Sequence, residues 1–71
     1  ALDVAMRLKA LADPVRVKLM ALLLAAHDPC TTSSLAGFVQ LSESTVSHHL
    51  GPLRAAGLVV SERRGMSVHH S

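Results

Sequence analysis

The chain has no tryptophan, no tyrosine and a single phenylalanine, Phe38. A core without large rings must be built from Leu, Val, Ala and Met, which bury less area per side chain than aromatic residues do. Its one cysteine, Cys30, can form no internal disulfide, so the reducing cytoplasm is the expected compartment. No apolar run approaches the ~20 residues that span a bilayer, which excludes a membrane helix. The longest run, residues 19–26, could imitate the core of a signal peptide. Asp3 and Asp13 precede it, however, and Asp28-Pro29 is no small-residue cleavage site, so no targeting segment is expected. Repeats and low-complexity linkers are also missing, and 71 residues leave room for one domain only.

What the chain has in excess is aliphatic surface. Apolar residues make up 49% of the sequence, although a domain this small buries only about 60% of the surface its unfolded chain exposes. Such a composition excludes a disordered chain and predicts an oligomer, or a segment of something larger, with an apolar patch awaiting a partner. The first residue is Ala1 rather than Met, so upstream residues are expected. Formal charge is +2, and residues 1–41 and 42–71 each carry one net positive charge. Bulk charge alone therefore identifies no partner.

The punctuation predicts four helices followed by a β-hairpin. Residues 2–11 read as a first helix with Val4, Leu8 and Leu11 aligned; Leu2, Ala5 and Met6 make it apolar on more than one face, as in a helix shared with a partner. Asp13-Pro14 opens a second helix, Asp as N-cap and Pro where no N–H is needed. It is predicted to run to about His27, with Val15, Leu19, Leu22 and Ala26 on one face, and to stop at Asp28-Pro29. A short third helix, capped by Thr31 or Thr32, carries Leu35, Ala36 and Val39. Ser42 caps a fourth, in which Val46, Leu50 and Leu53 fall at i, i+4 and i+7 and face the core. Ala56-Gly57 ends it. Leu58-Val59-Val60 then reads as a strand, residues 62–65 as a turn, and residues 66–70 as the returning strand.

Successive helical residues lie ~100° apart, so Ser44, His48, Gly51 and Ala55 fall opposite the apolar stripe of the fourth helix, with Thr45 and Ser47 flanking. That outer face begins with short hydroxyl and imidazole groups, which can reach base edges in a major groove. A short helix, a tight turn and a second helix make a helix-turn-helix, whose second helix enters the groove. A hairpin tipped with Arg63 and Arg64 suits phosphate contacts beside it. Spacing alone leaves a solvated helix face and a charged turn as the other reading.

The stretches ALADPVRVKLMALL, LSESTVSHHLGPLRAAGLV and ERRGMSVHH resemble the ArsR/SmtB family of winged helix-turn-helix repressors over nearly all of residues 8–70. The resemblance implies a mainly α domain with a small β-hairpin, residues 1–71 forming one winged helix-turn-helix unit: a dimerisation helix at 1–11, the helix-turn-helix at 31–56 and the wing at 58–70. It implies a homodimer bound to double-stranded operator DNA and released by a metal or metalloid ion. The implied DNA-contacting residues are Gln40, Ser42, Glu43, Ser44, Thr45, Ser47 and His48 from the turn and fourth helix, and Arg63, Arg64 and Gly65 from the wing. The family's last helix, part of its dimer interface, would lie beyond Ser71.

Three positions depart from the family pattern. Glu43 stands where Gln is common; a carboxylate accepts from cytosine N4 but is repelled by phosphate. Gln40 stands where Gly is usual, which predicts a left-handed backbone at a cost on the order of 1 kcal/mol. Pro52 lies inside the fourth helix, removes the N–H that would bond the His48 carbonyl, and is expected to bend it.

Many family members sense soft ions through a Cys-x-Cys pair at the start of the third helix, where this chain has Cys30 alone. One thiolate makes no site. Cys30 is therefore either a small residue at a helix start or one ligand of an ion completed from outside this segment, As(III) or Sb(III) before Zn or Cd, with no cofactor bound constitutively. His27, Asp28 and Cys30 are close enough in sequence for a mixed cluster, although a histidine ending a helix is favoured by the dipole alone. His48 and His49 diverge around the helix, and His69 and His70 across a strand, so neither pair shares an ion. No nucleophile–base–acid set points to an enzyme: Ser44 and Ser47 neighbour His48 without a carboxylate to orient it. A winged-helix module that binds protein and never meets DNA remains the alternative.

Overall fold

The computed structural model describes residues 2–71, with side chains from Asp3 onward. Ala1 of the expected 1–11 segment, and the Leu2 side chain of its apolar set, lie outside the described residues. Four helices and a three-stranded sheet follow in the order α1 (Leu2–Leu11), α2 (Pro14–Ala25), β1 (Cys30–Thr31), α3 (Thr32–Val39), α4 (Glu43–Ala55), β2 (Ser61–Arg64) and β3 (Ser67–His70).

Each helix from α2 to α4 starts at a capping side chain. The Asp13 carboxylate accepts from the N–H groups of Val15 at 2.8 Å and Arg16 at 3.2 Å. Thr31 Oγ1 accepts from Ser34 N–H at 3.1 Å, and Ser42 Oγ from Thr45 N–H at 3.2 Å. Helix α2 ends at Ala25, about two residues sooner than expected. Pro29 disfavours helix at Asp28, and the chain must extend at once to place Cys30 in a strand.

The core is aliphatic and small. Leu19, Leu35, Val46, Leu50 and Leu53 are fully buried, and Ala10, Ala36 and Val59 complete the set. Helix α4 thus supplies three side chains from the predicted stripe. It continues past Pro52 to Ala55, and a Gly57 in the left-handed region (φ +74°) closes it. Between α3 and α4, Gln40 adopts φ 58°, ψ 45°, which lets Leu41 N–H reach back to the Ala36 carbonyl at 3.2 Å. The departure from Gly at this position is thus accommodated with strain.

The hairpin differs from expectation in three respects. First, Cys30 and Thr31 form a strand, pairing antiparallel with His70 and His69, so the sheet has the order β1-β3-β2. Secondly, residues 58–60 are not in a strand: Leu58 N–H caps α4 on the Leu53 carbonyl, and only Val60 reaches the ladder, exchanging two hydrogen bonds with Ser71. Of the three, Val59 is buried in the core and Leu58 packs partly against it, while Val60 stays exposed. Thirdly, the turn is Gly65-Met66, and residues 62–64 pair with β3. Gly65 has φ +61° and takes the first central position of a two-residue hairpin, where type II′ geometry requires glycine. Met66, 99% exposed, forms the tip.

His70, only 2% exposed, is the buried polar residue of the described chain. Its ring bridges two elements, Nε2 lying 2.7 Å from Thr32 Oγ1 in α3 and Nδ1 2.7 Å from Ser61 Oγ in β2. Arg54 Nη1 donates to the same Ser61 oxygen at 3.2 Å. Burial, then the positive Arg54 and neighbouring His69, hold the His70 pKa below its ordinary value.

Two stability predictions follow from these positions. Gln40→Gly relieves the left-handed strain and should raise the unfolding free energy by about 1 kcal/mol, read as a higher urea midpoint. For His70, the unfolded chain binds the proton more readily than the folded one. Its contribution is therefore complete above the ordinary histidine value of about 6.5 and is lost as pH falls through the lower folded value. The urea midpoint should drop between pH 7.5 and pH 5.5, and His70→Phe should flatten that drop. An equally steep drop in the variant would assign it to other groups.

Candidate nucleic-acid interface

The outward face of α4 is set by what its inward face buries. With Val46, Leu50 and Leu53 fixed in the core, Glu43, Ser44, Ser47 and His48 are left exposed, and Thr45 is half-buried. At the helix start three hydroxyls are tied together: Ser42 Oγ donates to Thr45 Oγ1 at 2.8 Å and lies 3.2 Å from Ser44 Oγ. Ser42 and Thr45 are thereby committed to the cap and Ser44 is held to Ser42, whereas Ser47 and His48 make no side-chain hydrogen bond among the described residues.

A polar groove of about 260 Å³ runs between the start of α4, the start of α3 and the far strand of the wing. It brings together Glu43, Ser44 and Ser47 with Met66, Ser67 and Val68, floored by Thr31, Thr32 and Ser33. Gln40, Ser42, Thr45, His48, Arg63, Arg64 and Gly65 lie outside its lining. The groove residues Thr32, Ser33 and Ser67 escaped the sequence reading; the run of hydroxyl residues at 31–34 was the available signal. Glu43 is the one carboxylate facing the groove.

The two wing arginines do not sit together at a tip. Arg63 pairs with Val68 and Arg64 with Ser67, so their side chains leave opposite faces of the hairpin. Arg63 shares its face with Ser61 and buried His70, although its own side chain is exposed. Arg64 Nε donates to the Glu62 carboxylate at 3.3 Å, both groups being exposed, a pair worth roughly 0.2–1 kcal/mol and readily exchanged for phosphate.

The histidines of α4 diverge as expected. His48 points outward, while His49 Nδ1 accepts from Arg16 Nε at 3.2 Å and lies 3.9 Å from the Asp13 carboxylate. Their rings meet edge to face, centroids 5.8 Å apart. Desolvation works to raise the Asp13 pKa, but the N–H groups of Arg16 and Val15, with His49 and Arg16 charge nearby, outweigh it and hold the carboxyl below its ordinary value. This cluster locks the start of α2 against the middle of α4.

Cys30 stands in β1, ahead of the Thr31 cap, rather than at the start of α3 itself. It is half-buried, and its thiol points towards the Asp28 carbonyl at 3.8 Å. Among the described residues no three His, Cys, Asp or Glu side chains come together, which removes the mixed His27, Asp28 and Cys30 cluster. The residues present do not by themselves fit a metal ion. No helix among them is long and apolar enough to cross a membrane.

Comparison with known proteins agrees with this geometry. Residues 11–62 match a family model described as a helix-turn-helix domain. The transcriptional regulator NmtR of Mycobacterium tuberculosis is 42% identical over 71 residues, 100% of this chain and 58% of that protein. A transcriptional repressor SmtB homolog of Synechocystis is 44% identical over 62 residues, 87% of this chain and 46% of that protein. A homodimeric winged helix-turn-helix DNA-binding domain from Mycobacterium bovis, designated "a possible ArsR-family transcriptional regulator", superposes with a TM-score of 0.87 at 28% identity, over 96% of this chain and 61% of that one. The chain spans about half the length of the curated relatives it matches. With its helix order, its wing and these matches in agreement, the chain belongs to the ArsR/SmtB family of winged helix-turn-helix transcriptional regulators.

Proposed function

We propose that this chain is the DNA-binding unit of a cytoplasmic, homodimeric transcriptional repressor that leaves its operator when a thiophilic ion binds. The observation that carries the reading is the groove, in which the hydroxyl-bearing start of α4, with Glu43 as its one charge, stands beside the wing. Ser44, Ser47 and His48 would read base edges from the major groove. Arg63 and Arg64 would neutralise phosphates on the two sides of the wing, and Gln40, Ser42, Thr45 and Gly65 would hold the turn, cap and hairpin that aim them. Glu43 is assigned to a cytosine N4 and disfavours any approach that brings phosphate into the groove. The exposed apolar side chains of α1, Val4, Met6 and Leu8, would meet a second subunit, so that two recognition helices address two half-sites.

For the releasing ion, As(III) or Sb(III) is the reading that the lone thiol supports best, since soft ions take several sulfurs; Zn and Cd are the competitors. Cys30 would give one ligand and the others would come from outside the described residues.

The test is a titration of a palindromic promoter fragment at several salt concentrations, with and without arsenite, cadmium or zinc. Tight association that weakens steeply with salt and is abolished by one ion is the expected result. Absent or salt-insensitive binding would instead favour a module that binds protein. Arg64→Ala should weaken binding to all sequences and flatten the salt slope by about one, whereas Ser44→Ala and His48→Ala should chiefly relax sequence preference. Equal losses on specific and random duplexes would remove those two from base reading. Cys30→Ser should blunt release by arsenite in the full-length protein; unchanged release would remove Cys30 from the ion site.

A further inference from the structure

The hairpin has little apolar grip on the helices. Strand β2 has no buried residue, and in β3 only His70 is buried; β1, which ties the hairpin to α3, is two residues long. The remaining link is polar. A single chain of hydrogen bonds runs from Thr32, the first residue of α3, through both ring nitrogens of His70 to Ser61, and from Ser61 to Arg54 in the last turn of α4. It joins the two ends of the helix-turn-helix to both strands of the wing.

We propose that His70 is the positioning residue of the wing: held between the Thr32 and Ser61 hydroxyls, it sets the angle at which β2 presents Arg63 and Arg64 to a duplex lying along α4. The inference rests on the DNA-binding reading above. An imidazole meets the geometry on both sides, since a neutral ring carries one donor and one acceptor pointing in divergent directions, and each hydroxyl can turn to complement either. Ser61 keeps a lone pair for Arg54 in either tautomer. Arg63 lies two residues beyond Ser61 on the same face of the strand, so a shift of Ser61 is passed directly to its side chain. The backbone at His70 is also the point where all three strands meet, paired with Cys30 on one side and Ser61 on the other. Losing the side-chain bridge while keeping this pairing should leave a folded but loosely aimed wing.

The experiment is a double-mutant cycle on a promoter duplex in the full-length protein. In the wild-type background, replacing both Arg63 and Arg64 with alanine should lower the slope of log affinity against log salt by about two. In Ser61→Ala or His70→Phe, the same pair of replacements should lower it by much less, because the arginines no longer meet their phosphates. Amide exchange of residues 61–70 in the free protein should also quicken in Ser61→Ala, with Leu19 and Leu50 amides unchanged. A role confined to fold stability would move core and wing amides together and leave the arginine effect intact. Full additivity of the arginine and Ser61 or His70 replacements, or unchanged wing exchange, would overturn the positioning role and leave DNA binding standing. Arginine replacements without effect in the wild type would overturn the wing contact itself, and the positioning role with it.

Discussion

The four helices of this domain are placed by the burial of one stripe on α4. Val46, Leu50 and Leu53 are wholly inaccessible, and α1, α2 and α3 all pack around that helix or its neighbours. Because a packed aliphatic core resists volume changes of a single methylene, the opposite face of α4 is fixed nearly as tightly as the core itself. The proposed recognition surface therefore needs no scaffold of its own: Ser44, Ser47 and His48 are aimed by the buried side chains on the opposite face of the helix. Truncating Leu50 would be felt at both levels, since a cavity beneath the helix also loosens the surface above it.

Where the aliphatic core runs out, polar clusters take over. On one flank Asp13 caps α2 while Arg16 and His49 tie it to α4; on the other His70 ties the wing to α3 and α4. The two differ in kind. Asp13 is partly open to water, so its contribution is local and that of a cap. His70 is enclosed, and losing a partner there would leave a buried polar atom unsatisfied, the more costly failure. No buried side-chain nitrogen or oxygen among the described residues lacks a partner, so the small core is specified by complete hydrogen bonding as well as by packing.

The features legible in the sequence are those with local causes. Helix starts at Asp13 and Ser42, a third at one of the two threonines 31 and 32, and the stripe of α4 each depend on neighbours within a few residues and are found where spacing put them; the left-handed Gln40 was implied by the family resemblance and is found as well. The errors share the opposite property. Strand β1 is two residues long and exists only because His70 and His69, about forty positions on, pair with it. Leu58-Val59-Val60 has strand composition, but Leu58 closes α4 and Val59 joins the core. Gly65 was read as ending a turn that it in fact begins, which moved Arg63 and Arg64 from a shared tip to opposite faces. His70 could not be told from His69, because alternation says that two residues face apart without saying which is inward. In the interface, the α4 positions were legible for the same local reason, while Thr32, Ser33 and Ser67 enter the groove only through tertiary packing.

The aliphatic excess of the sequence can now be traced to particular positions. Helix α1 buries Ala10 and part of Leu11, yet leaves Val4 57% and Leu8 63% exposed, with Met6 also open. A ten-residue helix is marginal in water by itself, and one buried alanine with a half-buried leucine adds little to it. Polar ties from α1 to the other helices are sparse: Arg7 reaches the Ala56 carbonyl at the end of α4 at 3.4 Å, and Arg16 of α2 the Ala10 carbonyl at 3.5 Å. The balance would shift if the same side chains met a second copy, since each fully buried Leu, Val or Met contributes about 1.5–3 kcal/mol. Dimerisation in the proposed repressor would then do two things at once: it would order α1, and through the α1 packing on α4 it would set the separation of two recognition helices. Any ion that altered the α1 interface would act on DNA binding without having to reach the recognition face itself.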